Sequence, residues 1–196
     1  MNTIVALSIG QTFILMLLVA LVGTDLVIFF SIWRHNTSYI EKNNRISMVT
    51  LLETFDPESL CPFCQVIRLP QSRHCNICNR CIDRYDHHCP WINNCVGRTN
   101  HSRFYVHLIL IVAYCVGSLL NAILKLAKNS DDVQTTGVFK ERNYVFPESL
   151  ITVCIISLLV FGLVFGVLVF ALFIYQTQNL MKGVTSTERT RRLRLN

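Results

Sequence analysis

Seven of the nine cysteines fall between residues 61 and 95, and three histidines lie among them. They run Cys61-Pro-Phe-Cys64, then His74-Cys75, Cys78, Cys81, Asp86-His87-His88-Cys89 and Cys95. A Cys-x2-Cys pair presents two thiolates from one tight turn, which suits tetrahedral zinc, and three such spacings overlap within residues 61–81. Structural zinc takes four ligands, so two sites use eight of these side chains and leave two over. Spacing alone does not say which two. A leftover cysteine and histidine would be a thiol nucleophile beside a base. The carboxylate of Asp86 is near enough in sequence to orient an imidazole.

The elements that must hold this cluster are few. Short polar loops such as Leu69-Pro70-Gln71-Ser72 and Asn93-Asn94 suit a small domain stabilised by metal rather than by a large core. The rest of the chain is different. Of its 196 residues 52% are apolar and 15% charged, with a mean hydropathy of +0.41. An average soluble domain carries roughly 25% charged residues. That composition excludes disorder and argues against a free-standing soluble enzyme. The apolar residues gather in three runs, 3–33, 104–127 and 150–175, each long enough to cross a hydrocarbon core of about 30 Å. The first run would make a helix about 46 Å long, read as one tilted span. It lacks the positive leading region of a secretory signal, since no Lys or Arg precedes Arg34.

Charge sets the orientation, because positive loops stay cytosolic. Residues 34–103 hold Arg34, Lys42, Arg45, Arg68, Arg73, Arg80, Arg84, Arg98 and Arg103, and the tail holds Lys182, Arg189, Arg191, Arg192 and Arg194. The predicted order is a span at 1–33 and a cytosolic segment at 34–103, with its zinc domain at about 56–103. A span at 104–127, a lumenal or extracellular loop at 128–149, a span at 150–175 and a cytosolic tail at 176–196 follow. Gly162 and Gly166 give the last span a small-xxx-small spacing, which predicts close helix packing. His107, Cys115 and Cys154 are read as packing or interfacial residues of the spans. Asn36-Thr37-Ser38 and Asn100-His101-Ser102 are glycosylation sequons on the predicted cytosolic side and should stay unmodified. Cytosolic thiols stay reduced, which also favours metal over disulfides.

The run Asp86-His87-His88-Cys89, with Pro90-Trp91, Asn94-Cys95-Val96-Gly97, Asn100 and Phe104 beyond it, resembles the DHHC protein S-acyltransferases, or palmitoyltransferases. The likeness covers about Asp56 to Phe104. It implies a polytopic α-helical membrane protein with a small cytosolic, loop-rich, two-zinc cysteine-rich domain. By resemblance, one structural zinc is held by Cys61, Cys64, His74 and Cys81, and the other by Cys75, Cys78, His88 and Cys95. His87 and Cys89 are then left over. The resemblance makes Cys89 the acyl-accepting nucleophile, His87 its base and Asp86 the residue that orients His87. The implied reaction takes a long-chain acyl group, expected to be palmitoyl, from fatty acyl-CoA (palmitoyl-CoA) onto Cys89. The acyl group then passes to membrane-proximal cysteines of protein substrates at the lipid bilayer. The zincs would position rather than activate, since their coordination shells are closed.

Supporting residues follow. Thr185-Ser186-Thr187-Glu188 resembles the family's Thr-Thr-x-Glu motif with Ser in the second place, so the Ser186 hydroxyl can still reach toward Asp86. Arg68 and Arg73 stand where the family carries basic residues and would meet CoA phosphates or serve as interfacial positive charges; Trp91 would line the acyl path or sit in the interfacial aromatic belt, and Tyr114 would close the end of that path or hydrogen-bond between helices. Asp56-Pro57-Glu58 stands for the family's Asp-Pro-Gly, and Glu in the glycine place questions any turn that needs a positive φ. Members usually have four spans where this chain shows three, and many carry an amphipathic segment beyond the point where this tail stops. The chain is therefore expected to be a divergent member, a splice form or part of a longer protein. The expected location is multi-pass in an endomembrane (ER or Golgi) or the plasma membrane, with the zinc domain cytosolic. Two rival readings are a catalytically inactive membrane-anchored zinc scaffold or adaptor and a nucleic-acid-binding zinc domain. Placement between spans argues against nucleic acid as a partner, and the first rival gives Asp86, His87 and Cys89 no joint role.

Overall fold

Residues 2–34, 37–136 and 148–195 are described by the computed structural model. The apolar runs fold as three long helices, α1 (Asn2–Arg34), α3 (His101–Thr136) and α4 (Glu148–Met181); α2 (Met48–Thr54) and α5 (Ser186–Leu195) are short. Stretches of 23, 24 and 22 residues, Thr12–Arg34, His101–Leu124 and Val160–Met181, are long and apolar enough to cross a membrane. The loop expected at 128–149 is shorter than the sequence suggests, because α3 continues through Thr136. Residues 126–128 are good helix formers, and no Gly or Pro interrupts the run before Gly137. Residues 137–147 of that loop lie outside the described residues, as does Asn36 of the first sequon.

The chain divides into two units. The helical unit comprises Met1–Asp25 and Leu108–Phe173. Within it α1 and α3 approach closely at Gly117, where an added Cβ would lie 3.0 Å from Leu18 Cδ2. Among the described residues the packing expected at Gly162 and Gly166 is not found, since a Cβ on either meets nothing within 4 Å. Neighbouring Phe161 and Leu163 are likewise exposed. Apolar surface turned to lipid tails needs no protein neighbour, so small spacing alone does not bring helices together.

The second unit, Leu26–His107 with Ile174–Asn196, carries the cysteines on three antiparallel hairpins. These are β1 (Leu60–Cys61) with β2 (Val66–Ile67), β3 (Arg73–Cys75) with β4 (Arg80–Ile82), and β5 (His87–Cys89) with β6 (Asn94–Val96). In the first two, the residue after the second knuckle cysteine turns left-handed, Gln65 at φ 54° and Asn79 at φ 50°. That conformation reverses the chain tightly enough for both thiols to converge. In the third, a 3₁₀ turn over Pro90–Ile92 ends on Asn93 at φ 45°. Strands of two or three residues bury too little to hold themselves together. The buried clusters are correspondingly made of ligand side chains, Cys61 and Cys81 with Val66, and Cys75 and Cys95 with Ile82.

A polar network fixes β6. Thr37 Oγ1 lies 2.9 Å from Asn94 Oδ1 and 3.0 Å from the Cys95 carbonyl, which also accepts from Asn100 Nδ2 at 2.8 Å. Asn94 Nδ2 donates to the Ile32 carbonyl at 3.0 Å, tying β6 to the last turn of α1. Asn100 is fully buried with its amide engaged, so the second sequon offers no acceptor nitrogen to a glycan. Gly97 completes the arrangement. A Cβ there would sit 2.7 Å from Ile82 Cγ2 and 3.0 Å from the Asp83 carbonyl. At the Asp56-Pro57-Glu58 turn, Asp56 Oδ1 accepts the Glu58 N–H at 2.9 Å, and Glu58 is not among the residues with positive φ. Glutamate in the glycine place therefore strains nothing.

Candidate functional site

Strand alternation decides which side chains meet. Successive side chains on a strand face opposite ways, and directly paired residues share a face. On β3, His74 is paired with Cys81 and joins Cys61 and Cys64; its neighbour Cys75 turns away and joins Cys78, His88 and Cys95. On β5, His88 is paired with Cys95 in that second set. In each set the four donor atoms lie within 4.8 Å of one another. His74 Nδ1 is 3.2 Å from Cys64 Sγ and 3.7 Å from Cys61 Sγ. His88 Nδ1 is 3.8, 3.4 and 3.5 Å from the sulfurs of Cys75, Cys78 and Cys95. Zn–S near 2.3 Å and Zn–N near 2.0 Å give tetrahedral edges of about 3.5–3.8 Å. Both sets fit zinc in geometry and in donor chemistry. Phe63 stacks on His74, ring centroids 5.0 Å apart.

The same alternation sends His87 and Cys89 to the face of β5 opposite His88. His87 Nδ1 donates to Asp86 Oδ2 at 2.7 Å, and the His87 ring also hydrogen-bonds the Cys89 thiol. The edge of the His87 ring meets buried Phe104, centroids 5.2 Å apart. Asp86 is 1% exposed and accepts from three further groups. Ser186 N–H reaches Oδ1 at 2.5 Å, while Ser186 Oγ and Gln176 Nε2 reach Oδ2 at 2.9 and 3.0 Å. Thr187 Oγ1 donates to the Asp86 carbonyl at 2.5 Å.

The Thr-x-x-Glu run earns this contact through local helix chemistry. The Glu188 N–H donates to Thr185 Oγ1 at 3.2 Å, and the Thr185 N–H donates to Glu188 Oε2 at 2.9 Å. This reciprocal capping box starts α5 with Ser186 as its first residue. The unpaired N–H groups and positive dipole end of α5 then face the Asp86 carboxylate. Gln71 Nε2 donates to Glu188 Oε1 at 3.1 Å, fixing the box to the loop before β3.

These contacts govern the charges. Burial pushes the Asp86 carboxyl up, but hydrogen bonds from His87, the Ser186 N–H and Gln176 outweigh it and hold the group at about 2. Burial lowers His87, and the bonds to Asp86 and Cys89 overcome that and raise it to about 9. Burial raises Cys89, yet the His87 hydrogen bond and the Ile92 and Trp91 amides bring the thiol below its ordinary value. Both shifts favour a thiolate beside an imidazolium more strongly than the free side chains would, the imidazolium backed by a carboxylate.

The other sequence candidates divide. Arg73 lines an open groove of about 390 Å³ with Asp86, His87, Ser186, Arg191 and Arg194. Arg68 lines a neighbouring groove of about 610 Å³ that Arg73 and Arg191 share. Trp91, on the turn after Cys89, is 80% exposed. Tyr114 lies on α3 in the helical unit, partly exposed. Gln176, Asn179 and Thr187 went unnoticed in the sequence. Gln176 and Asn179 bound a polar run, Gln176-Thr177-Gln178-Asn179, near the end of an apolar helix, and nothing in the run marks which members turn to the site. Thr187 was visible only as the variable place of a four-residue motif.

A family model described as DHHC palmitoyltransferase matches residues 54–192. The chain is 36% identical over 100 residues to palmitoyltransferase Hip14 of Drosophila melanogaster, a match covering 47% of this chain and 16% of that protein. It is 48% identical over 33 residues to palmitoyltransferase SWF1 of Kluyveromyces lactis, covering 17% and 10%. It is 31% identical over 77 residues to palmitoyltransferase ZDHHC4 of Rattus norvegicus, covering 37% and 22%. In each case the match spans less than a quarter of the relative's length.

Proposed function

We propose that this chain, which belongs to the DHHC palmitoyltransferase family, transfers a long-chain acyl group, palmitoyl by preference, from acyl-CoA through Cys89 to cysteines of membrane-associated proteins. The observation that carries the reading is the alternation on β5, which commits His88 to a metal set and leaves His87 and Cys89 together beside Asp86.

The steps follow from the charges. The Cys89 thiolate attacks the thioester carbonyl carbon of acyl-CoA; the C–S bond to CoA breaks, and the leaving thiolate takes a proton from the His87 imidazolium. The neutral imidazole then accepts the proton of a substrate thiol. The resulting thiolate attacks the Cys89 thioester, and Cys89 leaves as the thiolate beside a renewed imidazolium. Asp86 holds the proton on Nδ1 of His87, so the other ring nitrogen faces sulfur throughout. Bound zinc in the two Cys3His sets would crosslink the hairpins. The grooves beside Arg68 and Arg73 suit the CoA phosphates, and exposed Trp91 suits the acyl path or the bilayer interface. The excess of Lys and Arg in residues 34–103 supports a cytosolic site within a multi-pass protein of an endomembrane or the plasma membrane. A scaffold reading would leave the thiolate–imidazolium arrangement without a task and is not favoured.

The test is autoacylation of the purified chain with palmitoyl-CoA, wild type against Cys89→Ser. We expect a hydroxylamine-labile label on the wild type alone, with two zincs bound by both proteins. An unlabelled wild type holding two zincs would overturn the reading in favour of the scaffold.

A further inference from the structure

Gln176 is 1% exposed and opens the polar run Gln176-Thr177-Gln178-Asn179 that follows the apolar stretch of α4. Its amide nitrogen has two hydrogens, and both point to the site: Nε2 donates to Asp86 Oδ2 at 3.0 Å and to Ser186 Oγ at 3.2 Å. The Ser186 hydroxyl in turn accepts from Asn179 Nδ2 at 3.1 Å and donates to Asp86 Oδ2 at 2.9 Å. Gln176 Oε1, by contrast, has no protein partner among the described residues. Rotating the amide would set that oxygen against the carboxylate, so the charge on Asp86 selects the observed orientation.

We propose that Gln176 is a positioning residue for acyl transfer, a neutral donor that fixes the rotation of the Asp86 carboxylate so that Oδ2 stays aimed at His87. This rests on the reading that Cys89 is the nucleophile. Neutrality is what the position requires. A lysine or arginine at 176 would pair with Asp86 and compete with His87 for it, whereas an amide steers the carboxylate and leaves its charge to the imidazole. Ser186 acts on the same oxygen from α5, so the carboxylate is held from two elements besides its own. Without Gln176 the carboxylate is free to swing toward the Ser186 donors, and His87 loses its fixed presentation to sulfur.

The experiment compares wild type with Gln176→Leu, Gln176→Glu and Gln176→Asn in the full chain. It reads single-turnover thioester formation from palmitoyl-CoA, alkylation of Cys89 by iodoacetamide at one fixed pH, zinc content and Tm. Misaligned reacting groups cost up to about a hundredfold. Gln176→Leu should lower the single-turnover rate about 10- to 100-fold, with KM for palmitoyl-CoA within about twofold and both zincs retained. Gln176→Glu, equal in shape but repelling Asp86, should be slower still, and Gln176→Asn, which keeps a neutral N–H donor on a shorter arm, should recover part of the rate. A wild-type rate in Gln176→Leu overturns the proposal. Equal losses in the Leu and Asn variants, or losses matched by missing zinc or a lowered Tm, reduce Gln176 to a structural part and also overturn it. If the wild type takes no acyl group, the reading of Cys89 fails. The alkylation rates then still decide for Gln176, with a drop in Leu and partial recovery in Asn supporting it and equal rates overturning it.

Discussion

His87 and His88 are adjacent, identical in chemistry and opposite in surroundings. His88 faces three thiols at 3.4–3.8 Å, while His87 faces a carboxylate at 2.7 Å and a single thiol. Nothing intrinsic to either residue decides this. One step along a strand reverses the face, and the partner strand then supplies Cys95 to one histidine and Val96 to the other. The lesson is that a ligand-type residue takes its role from strand parity, so a metal-binding hairpin can carry a reactive pair on its reverse side.

The largest effect expected from separating the two faces is at His88. Replacing His88 with Ala removes one of four donors from a domain whose strands are two or three residues long. The variant should bind one zinc fewer, lose its cooperative thermal transition in the cysteine-rich domain and take up no acyl label. Zinc analysis and circular dichroism check this. A His88→Ala protein that keeps two zincs and its label would break the comparison outright.

His87→Ala should leave both zincs in place and slow autoacylation by about 10²- to 10⁴-fold, the usual worth of a positioned acid–base group. It should also move the pH dependence in a defined direction. In the wild type the Cys89 thiol titrates below its ordinary value, so reactivity toward iodoacetamide persists to lower pH and fades as the thiolate is protonated. Without His87 only the Ile92 and Trp91 amides oppose burial, which raises a thiol. The alkylation midpoint should therefore move upward from its wild-type position. A midpoint unchanged by His87→Ala would show that the two side chains are independent.

The smallest effect is expected at Gly97, directly after β6. Gly97→Ala would bring a Cβ to 2.7 Å from Ile82 Cγ2, 3.0 Å from the Asp83 carbonyl and 3.1 Å from Thr37 Cγ2, with backbone among the groups that must move. Overpacking of this kind costs about 1–3 kcal/mol. A lowered Tm with zinc content preserved is the expected result, and an unchanged Tm would mean that β6 has room to shift.

Much of this was legible from residue types. The Cys-x2-Cys knuckles and the surplus of ligands announced a metal domain with two side chains to spare. The apolar runs announced three long helices. What spacing could not reveal was register. Which two side chains were surplus depends on His88 lying opposite Cys95 and His74 opposite Cys81, a matter of hairpin geometry. Gln176 and Asn179 were illegible for another reason, because a polar run at the end of an apolar helix does not reveal which of its side chains meet a carboxylate. Gly162 and Gly166 show the opposite failure, a spacing with a familiar meaning that no neighbour fulfils among the described residues.

The capping box at Thr185 and Glu188 also has a consequence in time. Asp86 is joined to Ser186 across 100 residues of chain, with two membrane-length helices made between them. Chains emerge at about 5–20 residues per second, so the thiol and its histidine exist for several seconds before the segment that locks their carboxylate has been synthesised. During synthesis the Cys89 thiol gains its full set of partners only after the second of these helices has been made.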